Sequence, residues 1–152
     1  MPQADAGALW AWFGFLSIFS GVLFGAISDR IGRRAGMAAA FAVLASAYLL
    51  VGFGPWMPGL YASIALFGLA AWSIPVIMSA AAGDYFGPAA AAGALAALVL
   101  VFSAGQALGP VLAGLLADMT GDFSASHAAA GAAALAATGL IAALRPRADD
   151  AA

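Results

Sequence analysis

The chain of 152 residues contains no cysteine and no lysine. The first absence excludes disulfides and thiolate metal sites. The second leaves five arginines as the whole basic complement, beside seven acidic residues and one histidine. Charged residues make up 8% of the sequence, whereas soluble domains carry roughly 25%. A water-facing surface cannot be built from so few, and no basic patch for nucleic acid can form. The opening MPQADAGALWAW lacks a basic region and a cleavage site after a short apolar run, so it does not read as a signal peptide. Also missing are a glycine-rich phosphate loop with lysine, a metal-ligand cluster and a nucleophile–base pair. No cofactor and no metal are expected, and the chain does not read as an enzyme.

Apolar residues are what the chain has in quantity. They form 65% of it, and the mean hydropathy is +1.03. A helix crossing the bilayer core needs about 20 of them in succession. Five segments approach that length: residues 8–27, 35–53, 60–82, 89–117 and 128–144. The connections SDRIGRR, GPWMPG, GDYFGP and DMTGDFSAS are rich in turn formers. The expected fold is all-α, a polytopic membrane helical bundle of about five transmembrane helices in a single domain. Its surroundings are a lipid bilayer.

The arginines orient the bundle. Arg30, Arg33 and Arg34 fall in the first connection, and Arg145 and Arg147 follow the fifth segment. Five alternating crossings put all of them on one face, which the positive-inside rule makes the cytoplasm. The N-terminus is then outside and the C-terminus inside. Abundant Ala, Gly and Pro with Arg in place of Lys suggests a GC-rich bacterial genome, hence an inner membrane. Trp10, Trp12, Trp56, Tyr61 and Tyr85 lie near expected helix ends, as aromatic belt residues do.

The charge itself is concentrated. Gly25–Arg34 reads GAISDRIGRR and holds Asp29, Arg30, Arg33 and Arg34 between two apolar runs. A tight cytoplasmic turn explains the arginines and Gly32. It does not explain Asp29, or Gly25 four residues before it. In the fourth segment, Gly105, Gly109, Pro110 and Gly114 form a G-x-x-x-G-P-x-x-x-G helix. There, proline bends the helix and the glycines admit a neighbouring backbone. Ordinary close packing accounts for that spacing equally well.

Both elements resemble signatures of the major facilitator superfamily of secondary transporters. The first is similar to that family's cytoplasmic motif, matched at Gly25, Asp29, Arg30, Gly32, Arg33 and Arg34. The resemblance implies a packing role for Gly25 against the other half of the transporter. It also implies a conformational latch at Asp29–Arg30, part of a cytoplasmic gate. It covers five consecutive helices, either two to six or eight to twelve. The end RPRADDAA, without a long central loop, favours eight to twelve. GAISD (25–29) and GLLAD (114–118) echo each other, as the middle helices of two inverted triplets do, the first triplet lacking its leading helix.

The implied function is part of a transporter moving a small solute by alternating access. Its expected partner is an N-terminal half outside this chain, or a second copy. A small stand-alone membrane scaffold is the rival reading. Gln106 faces a substrate cavity or bonds across to another helix. Trp72, with Ser73 and Pro75, marks a bend in the third segment and either lines the cavity or packs against lipid or core. His127 reads as interfacial. No ionisable residue lies near the centre of any expected span, since Asp29, Asp84 and Asp118 all sit at ends.

Overall fold

The computed structural model describes residues 3–54 and 56–144. Arg145 and Arg147, which the expected orientation also uses, lie outside the described residues. The described chain folds into α1 (Gln3–Ile31), α2 (Arg33–Gly52), α3 (Met57–Ala70), α4 (Ser73–Thr120) and α5 (Ser124–Ala143). It is an all-α bundle, with no strand among the described residues.

These helices are apolar on every side. Trp10, Phe15, Ile18, Val22 and Leu23 all point outward from α1, and Leu100, Val101, Leu108 and Val111 from α4. A helix hydrophobic all round belongs in the core of a large protein or in a bilayer. A chain this small has no such core to offer. Four helical runs, 5–31, 33–52, 57–120 and 124–143, are long and apolar enough to cross a membrane.

The connections are shorter than the sequence suggests. Between α1 and α2 only Gly32 leaves helical geometry, at φ 87°, where a side chain would be strained. Within α4 the departure falls at Gly87 (φ 70°, ψ 169°), so GDYFGP contributes one residue of turn and Pro88 opens the next helical stretch. The chain then stays helical through Pro110.

The third segment is divided, at Ala71–Trp72, into α3 and the first part of α4. Pro75 lacks an N–H, and its ring excludes the carbonyl four residues back. The helix ahead of it therefore ends on a tightened turn, with Ala71 N bonded to Gly68 O. The break comes where Trp72-Ser73-x-Pro75 predicts a bend.

Small residues set the packing. Ala40, Ala45, Ala47 and Ala70 are fully buried, and Phe24, Ile74 and Ile77 fill the centre. Helices in lipid gain little from burying apolar area, so close backbone approach and dispersion take over. Along α2 and α5 the contacts run antiparallel. A Cβ at Gly52 would lie 2.8 Å from Ala128 N, and one at Gly131 would lie 2.7 Å from Leu49 Cγ. At the far end of this pair, Arg34 Nη1 donates to Leu144 O at 2.6 Å. The described C-terminal end of α5 thus returns to the arginine turn.

Helix α1 instead runs parallel to α3 and the first part of α4. Gly68 packs on Leu16 and Phe13, and Gly21 and Gly25 face Val76. The second part of α4 departs from this pattern. Residues 96–112 are exposed without exception, and contact resumes only near Ala117 and where Ser126 Oγ donates to Ala113 O.

Candidate functional site

The arginine turn is built from three helix ends. Asp29 lies in the last turn of α1, and Arg33 and Arg34 open α2. Each of these charges sits at the unfavourable end of its own helix dipole, acid at a C-terminus and base at an N-terminus. Arg30, in the last turn of α1, is favourably placed by comparison. The misplaced charges need partners, and the fold supplies them.

Arg33 is the hub. Its Nε donates to Asp84 Oδ2 at 2.6 Å, and its Nη1 donates to Ser28 Oγ at 2.7 Å and to Asp29 Oδ1. Three of the five guanidinium N–H donors thereby meet fixed acceptors, a geometry that a lysine cannot copy. The Arg33 side chain is 20% exposed, against 62% for Asp29 and 52% for Asp84. Ser28 is buried and holds the floor of the cluster. The site therefore ties the α1–α2 turn to α4, close to the Gly87 turn.

Close backbone approach makes this possible. Gly36, one turn into α2, lies against Ser28, where an added Cβ would come within 2.7 Å of Ser28 Cα. Gly32 turns the chain, and Gly25 faces Val76 of α4 in this same chain at ordinary contact distance.

The resemblance points to Asp29–Arg30 as the paired charges. In the structure Asp29 pairs with Arg33, while Arg30 is exposed and makes no ion pair among the described residues. Arg34 caps α5 instead. Asp84, legible only as a helix-end acid, is a full member of the cluster.

The second motif stands apart. A Cβ added at Gly105, Gly109 or Gly114 would meet nothing within 4 Å, and Gln106 and Pro110 are exposed on the free stretch of α4. Trp72 is 57% exposed on the outside of the bundle, but its backbone N–H is engaged. It donates to Ser20 Oγ of α1 at 3.0 Å, which satisfies a donor freed by the helix break. Ser20 is fully buried, and nothing in its own neighbourhood of sequence marks that role.

No cluster of three or more metal-ligating side chains occurs among the described residues. Uniformly apolar helices packed through alanine and glycine, with the described arginines gathered at one end, define a multi-pass membrane helical bundle. A family model described as Major Facilitator Superfamily matches residues 1–152, the full length of the sequence. The chain belongs to this family of membrane transporters. No curated protein and no solved structure matches it.

Proposed function

We propose that the chain is part of a secondary transporter that moves a small solute by alternating access, and that the Arg33 cluster is a latch in its cytoplasmic gate. One observation carries this reading: Arg33 bonds Ser28 and Asp29 on one side and Asp84 on the other. Such a clasp makes α1, α2 and the first part of α4 move together, as rocking of helical bundles requires. Its outer members are half exposed, so water can replace the bonds at modest cost when the end opens. A permanent structural pair would be better buried.

In this reading the arginine end faces the cytoplasm and the chain crosses five times. The pairing of Arg34 with Leu144 O and of Arg33 with Asp84 supports a common end for these segments. The free face of α4 at Gly105, Gly109 and Gly114 is where an additional transporter half or a second copy packs.

The test is solute counterflow in proteoliposomes, with the chain reconstituted together with any partner half, against a panel of sugars, carboxylates, amino acids and drugs. Asp84→Asn and Asp29→Asn should lower flux at least several-fold while leaving expression intact. Wild-type flux in both variants would remove the latch.

A further inference from the structure

A second site lies at the opposite end of the bundle from the arginines. A cavity of about 530 Å³ opens between α1, α2, α3 and the start of α5. Its walls include Trp10, Phe13, Tyr48 and Phe67, with Ser63 and His127 among them. The volume falls within the range of small-molecule sites, about 300–1,000 Å³. Its rings brace one another: Phe13 stacks on Phe67 at 5.4 Å, Trp10 lies 5.0 Å from Phe13, and Tyr48 lies 5.6 Å from Phe67. Such a surface is preformed and has little freedom left to lose on binding.

The polar groups of this cavity are idle. Ser17, Ser46, Ser79 and Thr138 each turn a hydroxyl back to a carbonyl of their own helix. Ser63 does not, although it is only 8% exposed. Among the described residues neither its hydroxyl nor that of Tyr48 has a hydrogen-bond partner. His127 Nδ1 lies 2.8 Å from Phe123 O, and a carbonyl only accepts. Nδ1 is therefore the donor there, and Nε2 has no hydrogen-bond partner among the described residues. Three hydrogen-bonding groups thus share an aromatic chamber without using one another.

We propose that this cavity binds a neutral, flat aromatic molecule bearing one or two hydrogen-bonding groups. The rings supply offset-stacked and edge contacts, and Ser63, Tyr48 and His127 orient the polar edge. Among the described residues no carboxylate lines the chamber, so a cation entering it would lack a counter-ion in a medium of low dielectric. An acyl chain would leave all three polar groups unpaired, each at a desolvation cost. The inference is independent of whether the chain transports.

The test is equilibrium dialysis of radiolabelled 2-naphthol against the full chain in lipid nanodiscs, with empty nanodiscs as baseline. Saturable binding of one molecule per chain is expected. Ser63→Ala and Tyr48→Phe, both nearly isosteric, should each weaken it about fivefold, the loss of one neutral hydrogen bond. Ser46→Ala, on the outward side of α2, should leave it unchanged. Tetraethylammonium and decanoic acid should not displace the probe. Binding that never saturates, indifference to both Ser63→Ala and Tyr48→Phe, or displacement by either competitor would overturn the assignment.

Discussion

The Nε of Arg33 lies 2.6 Å from Oδ2 of Asp84, a carboxylate 51 positions further along the chain. Nothing local relates these residues, yet the pair closes one end of the bundle. It joins the turn between two helices to a third, beside the Gly87 turn. The same guanidinium holds Ser28 and Asp29, so its removal strands two carboxylates together.

Arg33→Ala should therefore destabilise the chain more than Asp84→Asn does. Hydrogen bonds to charged groups contribute about 1.5–3 kcal/mol, and the half-exposed Asp84 should fall near 1 kcal/mol once solvent screening is allowed for. Arg33→Lys keeps the charge but loses the fork and should resemble Asp84→Asn. Thermal unfolding in detergent followed by circular dichroism measures the order. Equal midpoints for Arg33→Ala and wild type would remove the clasp.

Gly36 makes a separate prediction. A methyl group there would meet Ser28 backbone atoms, which cannot swing away as a flexible side chain can. Gly36→Ala should cost about 1–3 kcal/mol, the usual penalty of overpacking. Gly14→Ala on α1, where nothing lies within 4 Å, serves as control and should be neutral. The comparison is read from the same melting curves.

Ser20→Ala leaves the Trp72 N–H without its acceptor inside a dry interior. The expected loss is about 1–3 kcal/mol, the cost of one orphaned buried donor. Ser20→Thr retains the hydroxyl and should recover part of it. Hydrogen exchange at the Trp72 amide gives a local readout, and faster exchange in Ser20→Ala but not in Ser20→Thr is expected.

Absence of cysteine makes topology easy to probe. Phe53→Cys and Phe86→Cys place single thiols at exposed positions at opposite ends of the bundle. A membrane-impermeant maleimide applied to intact cells should label the first, and the second only after permeabilisation. Labelling of both, or the reverse pattern, contradicts the proposed orientation.

On the free stretch of α4, Gly105→Ala and Gly109→Ala meet nothing in this chain and should leave its melting midpoint unchanged or slightly raised. If another transporter half packs on that face, the same variants should reduce flux several-fold in the assembled transporter. Unchanged flux would place the partner elsewhere.

The apolar runs made the helical character and the lipid surroundings legible from residue order, because crossing a bilayer is a requirement on consecutive residues. The turn at Gly32 and the break near Pro75 were equally legible, since both follow from local backbone sterics. The charged stretch could be located but not resolved. Residue order marks Asp29 and Arg30 as neighbours, whereas pairing depends on which side chains converge when α4 is laid against α1. For the same reason Ser20, Tyr48 and Ser63 pass unnoticed as single polar residues in oily segments.

By itself, then, the order of residues determined a helical membrane chain with its charge densest at one turn. Tertiary structure alone decided that Arg33 answers Asp84, that Ser20 receives Trp72, and that an aromatic chamber opens at the other end. Solvent preference acts on every segment where it stands, while a hydrogen bond or a cavity exists only between segments once they have been brought within a few ångströms.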